Sequence, residues 1–361
     1  MPMLRIGIVG AGRMGRIRAL SASAHESCTV TRVADPVADR ASALASVVGA
    51  QWSTDWREIA EAGDVDAVVV ATTHRYLSTI SVAALQAGKH VFCEKPMGRQ
   101  LTEAEAILNE LRNRHSGSLL SALQRVVVGY TLRHHPAVQK AWQIVSSGEI
   151  GELLYLRGRY GHGGRAGYGD EWRTSPEESG GGQLLDQGVH LIDLSRCFLG
   201  NFIKTTGSIK CFHWAKGRSE VEDNAFMLLE TPEEKVAFLH ASWTQWKNLF
   251  SFEIFGERGA VVIEGLGGSY GNETLRLVKR QLAGGTPEIA ECGFPSRQQN
   301  GLDEIWALEW EAFVQALHPD NDESDRSNLP AATAVDGHAV LATVHDLYQS
   351  VGHERSVASA I

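Results

Sequence analysis

Two spacings of apolar residues divide the first third of the chain. Short runs rich in apolar residues and bounded by turn residues, Leu4–Val9, Thr29–Ala34, Val65–Ala71 and His90–Cys93, read as strands of a buried parallel sheet. Between them, helical segments are expected from Met14 to about Ala24, over Val37–Val48, over Asp55–Ala62 and over Tyr76–Ala87, the last closed by Gly88; Trp52 lies in a short extended piece. A helix at Leu101–His115, with Thr102 as its cap and acids in its first turn, and a strand at Ser118–Leu123 complete the series. Strands alternating with helices over about 120 residues predict a doubly wound parallel sheet.

From about Gln124 the pattern changes. A polar loop, Gly129–Pro136, leads into a helix over Ala137–Ser147. Extended segments follow at Leu153–Tyr160, Ile203–Trp214, Asn224–Glu230, Val236–Trp243, Leu249–Phe255 and Ala260–Glu264. Their hairpin-like spacing predicts a largely antiparallel sheet, with helices on one face and an oligomer surface on the other. Two closing helices, Asp303–Leu317 and Ala331–Ser350, flank a polar run, His318–Asn328, read as a surface loop. The expected class is α/β with two domains: 1–122, a doubly wound parallel sheet, and 123–361, an α/β domain with an open, mostly antiparallel sheet for substrate and oligomerisation.

Composition narrows the partners. The 361 residues are 43% hydrophobic and 21% charged, enough apolar content for large cores. A net charge of −9 argues against nucleic acid or an anionic membrane as partner. The five cysteines are widely spread with no CxxC pair, which fits a reducing compartment and no structural zinc. With no basic-then-apolar leader and no run long enough to span a bilayer, a soluble, cytoplasmic protein is expected.

The first run flows into Gly10-Ala11-Gly12-Arg13-Met14-Gly15, a G-x-G-x-x-G between strand and helix. Gly10 permits the tight turn, Gly12 lets a pyrophosphate approach the backbone, and Gly15 lets the helix pack against the strand. The helix N-terminus favours phosphate charge, so Arg13 and Met14 at its start are expected to border the cofactor as well. Asp35, at the end of the second strand, can accept from an adenosine ribose and repel a 2′-phosphate, so NAD is favoured over NADP; Arg40, a helical turn further on, could soften that preference or be a solvated surface residue. Thr72-Thr73-His74 follows the strand at Val65–Ala71 and either borders a nicotinamide or caps the next helix.

Two further stretches carry chemistry. His90–Cys93 ends in Glu94-Lys95-Pro96, at the strand edge where such sheets bind ligands. Lys95 there could polarise a substrate oxygen or carry a proton, or simply close a solvated ion pair. Gly180-Gly181-Gly182 allows a sharp turn and close backbone approach to a ligand. The helical run that follows places Asp186 and His190 on one face at i and i+4, with Asp193 on nearly the same side. A carboxylate one turn from a histidine can hold its tautomer and suit it as a general base; the same spacing also occurs in ordinary helix histidines and in metal sites. No third ligand is nominated and the adjacent pair His134/His135 diverges, so no metal is expected.

These motifs in this order resemble the Gfo/Idh/MocA family, the glucose–fructose oxidoreductase and inositol dehydrogenase group. The likeness rests on Gly10–Gly15, on Ala87-Gly88-Lys89-His90-Val91 leading into Glu94-Lys95-Pro96, and on Gly181-Gly182 with Asp186-x-x-x-His190, and it runs essentially end to end. It implies a Rossmann domain that binds NAD through Gly10, Gly12, Arg13, Met14, Gly15, Asp35, Thr72, Thr73, His74, Glu94 and Lys95. It further implies that Lys95 and His190 flank the reacting hydroxyl with Asp186 beside them, that the Lys95–Pro96 bond is cis, and that the protein is a homodimer or homotetramer. Thr72-Thr73-His74 and Thr131-Leu132-Arg133 depart from the motifs many members carry there, which bears on substrate identity more than on reaction type.

The expected activity is NAD-dependent dehydrogenation of a secondary alcohol on a sugar, cyclitol or nucleotide-linked sugar. His190, oriented by Asp186, takes the hydroxyl proton and Lys95 stabilises the oxygen. Rival readings are a redox-neutral, NAD-retaining glycosidase and a non-catalytic NAD/sugar-binding regulator. The segment Arg157–Arg173, with Arg159, Tyr160, His162, Gly163, Gly164, Arg165, Tyr168, Trp172 and Arg173, is expected to close over the substrate, or else to form an oligomer contact. Substrate contacts are expected from Lys95, Arg133, Tyr160, His162, Arg165, Tyr168, Trp172, Asp186 and His190.

Overall fold

The computed structural model describes residues 3–115, 125–214, 221–281, 283–296, 298–299, 302–317 and 327–352. The chain forms two compact units, one of Met1–Thr131, Gln298–Asp322 and Ala331–His338, the other of Leu132–Arg297, Glu323–Pro330 and Ala339–Ile361. In place of one cut at 122/123, which lies outside the described residues together with the strand expected at Ser118–Leu123, the division is discontinuous: the chain leaves the first unit and later returns to it.

In the first unit, strands β1 (Leu4–Val9), β2 (Cys28–Ala34), β3 (Gln51–Ser53), β4 (Ala67–Val70), β5 (His90–Glu94) and β6 (Val126–Gly129) alternate with helices α1 (Arg13–Ala24), α2 (Ala38–Val48), α3 (Arg57–Ala60), α4 (His74–Gln86) and α5 (Leu101–His115). The sheet order is β17-β6-β5-β4-β1-β2-β3. All pairs are parallel except β17 (Ala332–Thr333), which lies antiparallel to β6. The unbroken apolar runs have the predicted environment: all four residues of β4 are buried.

Helix α9 (Glu304–Ala316), from late in the sequence, packs Trp310 and Phe313 on Phe92 of β5, with ring centroids 6.1 Å and 5.3 Å away. Full burial of a phenylalanine such as Phe92 or Phe313 contributes roughly 1.5–3 kcal/mol. The cap expected of Thr102 is a correction: Thr102 lies inside the first turn of α5. The approach to α5 is held instead by Glu103, whose carboxylate accepts the Arg99 backbone N–H at 2.7 Å and pairs with the Arg99 guanidinium at 2.6 Å.

In the second unit, α6 (Pro136–Ser146), α7 (Pro176–Ser179) and α8 (Val189–Leu199) accompany β7 (Leu153–Gly161), β8 (Lys204–Lys210), β9 (Asn224–Glu230), β10 (Val236–Ser242), β11 (Leu249–Gly256), β12 (Gly259–Glu264), β13 (Glu273–Lys279) and β14 (Glu288–Phe294). These strands form one sheet, β14-β13-β12-β11-β7-β10-β9-β8, antiparallel except for the parallel β7–β10 pair. One face buries Leu156, Leu239, Phe252 and Ile254. The other carries Tyr155, Arg157, Leu228 and Phe238 at exposed positions. β15 (Gln298–Gln299) and β16 (Leu302–Asp303) form a short ribbon before α9, and α10 (Ala334–Ser350) is the last described helix.

Candidate active site

The glycine-rich loop of the first unit has three glycines in three different surroundings. Gly10 adopts φ +97°, and a Cβ there would lie 2.4 Å from the Ala71 carbonyl oxygen. A Cβ on Gly15 would lie 1.7 Å from the Gly10 oxygen, so α1 seats on its own loop only because Gly15 is bare. Gly12, at the N-cap of α1, has nothing of the chain within 4 Å of that position. The protein's own backbone fills the space at two glycines and leaves it open at the one where a pyrophosphate would approach the helix N-terminus. Arg13 stands exposed at the first helical position and Met14 half-buried beside it.

Asp35 fixes this loop. One carboxylate oxygen accepts the Ala11 N–H at 2.8 Å and the other the Val37 N–H at 2.9 Å. A carboxylate has about four lone-pair sites, so it retains acceptor capacity for ribose hydroxyls. Thr73 occupies the N-cap of α4 and buried His74 its first position, with the Thr72 hydroxyl donating to the Thr73 carbonyl at 3.0 Å. The cradle has room for an NAD pyrophosphate, which Gly12, Arg13 and Met14 would border, and acceptor capacity at Asp35 that a ribose would meet.

β5 delivers Glu94 and Lys95 to the same sheet edge. The Lys95–Pro96 bond is cis and Met97 follows at φ +78°, so the chain turns sharply straight after the lysine. Lys95 is half-buried. Glu94, expected beside the cofactor, has a carboxylate 2.6 Å from Arg18 Nε, while Arg18 Nη1 lies 2.6 Å from Glu309, which also accepts from Thr131 at 2.8 Å. Burial works against the Arg18 charge, but Glu309 and Glu94 overcome it and raise its pKa. Burial pushes the Glu94 carboxyl up, against the pull of Arg18. Gly129 makes room for the pair: a Cβ there would lie 3.0 Å from a Glu94 carboxylate oxygen.

In the second unit two of the three glycines, Gly181 and Gly182, admit a partner from the chain itself, which corrects the expectation of a ligand there. A Cβ on Gly181 would lie 2.5 Å from the Tyr348 hydroxyl, and one on Gly182 1.8 Å from the Glu222 carbonyl oxygen. The Glu222 carboxylate accepts the Gly182 and Leu184 N–H groups at 3.0 and 2.8 Å and the Tyr348 hydroxyl at 2.9 Å. It thus caps the helical run that carries Asp186 and His190. That run is not uniform: Leu184–Gly188 is a turn of π-helix that passes into α8. Such turns recur at functional sites because they re-aim side chains.

Asp186 lies in the π turn, with its Oδ2 3.6 Å from Arg173 Nε. His190, at the start of α8, meets the ring of Tyr160 edge-on at 6.0 Å. Burial, reinforced by Tyr270 and Asp186, holds the Tyr160 phenol well above its ordinary pKa. Asp193 serves a different partner, the guanidinium of Arg133, at 2.8 and 2.6 Å. Arg133 is 2% exposed and also donates to the Pro330 carbonyl at 3.3 Å. It therefore ties its loop to α8 rather than gripping a substrate, a correction to its expected role.

The segment after β7 is built into the fold more firmly than its glycines suggest. A Cβ on Gly164, at φ +68°, would lie 2.5 Å from the Trp214 ring, and one on Gly163 2.9 Å from the Trp246 backbone. Close packing, not mobility, accounts for both. Tyr168 is buried against His162, Trp214 and Trp243, with centroids at 5.3, 5.6 and 5.2 Å, so its face is not open for a sugar. His162 Nδ1 accepts the Gly164 N–H at 2.9 Å, leaving Nε2 toward the Tyr168 hydroxyl at 3.4 Å. Burial holds its pKa below the ordinary value. Arg165 pairs with Glu171 at 2.6 Å, and Trp172 stacks on Arg173. Glu222 and Gln187, which donates to the Tyr270 hydroxyl at 3.0 Å, were not among the expected site residues, and Arg173 was named only within the segment expected to close over the substrate. Among the described residues no group of three or more His, Cys, Asp or Glu could hold a metal, and no helix is long and apolar enough to cross a membrane.

Residues 4–119 match the family model described as an oxidoreductase family with an NAD-binding Rossmann fold, and residues 138–262 match the GFO/IDH/MocA C-terminal domain. The chain is 27% identical to levoglucosan dehydrogenase of Pseudarthrobacter phenanthrenivorans over 295 residues, 73% of this chain and 74% of that protein. It is 25% identical to inositol 2-dehydrogenase of Rhizobium meliloti over 367 residues, 99% of each. In fold it resembles levoglucosan dehydrogenase in complex with NADH (TM-score 0.81, 22% identity, 97% of each chain) and an oxidoreductase domain protein from Kribbella flavida (TM-score 0.82, 23% identity, 98% of each).

Proposed function

Since the chain belongs to the Gfo/Idh/MocA oxidoreductase family, we propose that it oxidises one secondary alcohol of a sugar, cyclitol or nucleotide-linked sugar at the expense of NAD. The observation that carries this reading is the glycine loop, closed by its own backbone at Gly10 and Gly15 and open at Gly12, with Asp35 locking it. It is joined to a second unit that caps a histidine- and carboxylate-bearing helix. When bound, NAD supplies the electron-pair acceptor. His190 accepts the substrate hydroxyl proton, Asp186 stabilises the resulting imidazolium, and Lys95 donates a hydrogen bond to the same oxygen as negative charge develops there. Removing an interaction of this kind costs about two to four orders of magnitude in rate. The names of the relatives support neutral cyclic polyols and anhydro sugars as the first substrates to try. We further infer a homo-oligomer that uses the open face of the eight-stranded sheet, where Phe238 is 51% and Leu228 44% exposed.

The test follows absorbance at 340 nm with NAD, and separately NADP, across free sugars, anhydro sugars, inositols and nucleotide sugars. A steady rise that vanishes in Lys95→Met and in His190→Ala is the expected result. Near-wild-type turnover in both variants would overturn the assignment of the proton. Silence across the panel with cofactor retained through gel filtration would favour the redox-neutral glycosidase.

A further inference from the structure

We propose that Arg173 is the positioning residue for Asp186, holding by charge the carboxylate that serves His190, and that the segment after β7 fixes Arg173 through Glu171 and Arg165. The inference rests on the reading of His190 as the base given above.

The geometry is a chain of alternating charges within one unit. Arg165 Nη2 lies 2.6 Å from Glu171 Oε1, Arg173 Nη1 lies 3.4 Å from Glu171 Oε2, and Arg173 Nε lies 3.6 Å from Asp186 Oδ2. Its outer end, Arg165, is 67% exposed in its side chain and its inner end, Asp186, 13%. The guanidinium of Arg173 lies 4.7 Å from the Trp172 ring centroid, which fixes its plane. At 3.6 Å the contact with Asp186 is longer than a good hydrogen bond, so Arg173 acts on it mainly as a charge.

Other titratable groups sense the same carboxylate. His162, Tyr160 and Tyr168 each feel the Asp186 charge, and Tyr270 adds to it at Tyr160. On α8 itself, Asp193 pairs with Arg133 from the turn before α6, and the two charges neutralise each other. Arg173 is thus a cation placed to offset part of the Asp186 charge. A histidine accepts a proton only while its ring is neutral. With Arg173 present, the pull of Asp186 on a protonated His190 is partly cancelled; with Arg173 removed, that cancellation is lost and the imidazolium is favoured more strongly.

The sign of the effect is fixed by that charge. In Arg173→Gln, the acid limb of the kcat/KM profile should move up by about one pH unit, so that activity is lost about tenfold at low pH and recovers at high pH. KM for NAD should not change. Arg173→Lys, which keeps a cation, should return the limb toward the wild-type position. A uniform loss at every pH, or a limb that stays in place, would overturn the proposal. A second readout needs no turnover: histidine-selective NMR titration of the resting protein, with His190→Gln identifying the resonance. A higher ring pKa for His190 in Arg173→Gln supports the charge relationship even if no substrate is found. An unchanged one refutes it even if the enzyme proves to be a dehydrogenase.

Discussion

Glu222 and Gly182 meet in a way that leaves no room for a side chain. The main-chain oxygen of Glu222 sits 1.8 Å from the place a Gly182 Cβ would occupy, while its carboxylate accepts the Gly182 N–H at 3.0 Å. One residue thus both caps the helical run that carries Asp186 and His190 and fixes how closely that run can approach β9.

Gly182→Ala should therefore displace the run as a whole. Turnover is expected to fall at least about a hundredfold, the scale of a misplaced catalytic group, with NADH binding retained. Isothermal titration with NADH beside steady-state kinetics checks both halves. Glu222→Gln keeps an acceptor but loses the charge that faces two N–H groups and the Tyr348 hydroxyl. It should cost roughly 1–3 kcal/mol of stability, read by urea denaturation.

Gly12 and Gly15 should respond oppositely to the same substitution. Gly12 has φ −73° and open space around its Cβ position, so Gly12→Ala should leave Tm unchanged and weaken NADH binding about tenfold or more. Gly15→Ala drives a methyl to within 1.7 Å of the Gly10 oxygen and should lower Tm before any cofactor is added. Equal loss of stability in the two variants would contradict the division of labour between them.

Arg18→Met leaves Glu94 and Glu309 facing each other with no cation between them. Removing one partner from a buried charge cluster costs roughly 3–5 kcal/mol. Arg18→Lys should recover only part of this, because a single ammonium nitrogen cannot replace the two separate guanidinium nitrogens, Nε and Nη1, that reach the two carboxylates at 2.6 Å each. Equilibrium denaturation of the three proteins decides the point.

Stability should fall on mild acidification. His90, His162 and His240 are each held by burial below the free-ring value of 6.5. Below that value the unfolded chain binds more protons than the folded one. The stability these rings contribute is complete above about pH 6.5 and is lost as pH drops through their folded values. Tm should be several degrees lower at pH 5.5 than at pH 7.5. In His162→Asn, whose side-chain oxygen can still accept from Gly164, the slope should be shallower.

What the sequence revealed depended on how far apart the participants lie along it. Gly10, Gly12 and Gly15 stand within one turn and its helix, and the tight turn at Gly10 and the close helix packing at Gly15 could be read from spacing alone. The β4 run announced its burial because every residue in it is apolar, and β5 did so through Val91, Phe92 and Cys93. Gly181 and Gly182 announced a close approach but not its occupant, since Glu222 lies 40 residues away from Gly182. Arg133 looked like a substrate ligand because Asp193, the carboxylate that claims it, is 60 residues off and looked like part of the His190 face. The strands β13 and β14 went unread: β14 is exposed on both sides for six of its seven residues and shows no alternation of apolar and polar positions. The π turn at Leu184–Gly188 has the apolar content of an ordinary helix, so nothing in its pattern marks the extra residue per turn.

The discontinuous first unit has a consequence for how the protein is made. Its early segment ends at Thr131 and its next begins at Gln298, so a ribosome must deliver nearly the whole second unit before α9 and β17 emerge. At ordinary elongation rates that delay is roughly 10–30 s. During it, Phe92 lacks the cover of Trp310 and Phe313, β6 presents an open edge, and Arg18 has one carboxylate instead of two. A nascent cofactor-binding unit is thus exposed to chaperones and proteases for that whole interval, and a premature stop far downstream, anywhere before α9, would leave it unfinished.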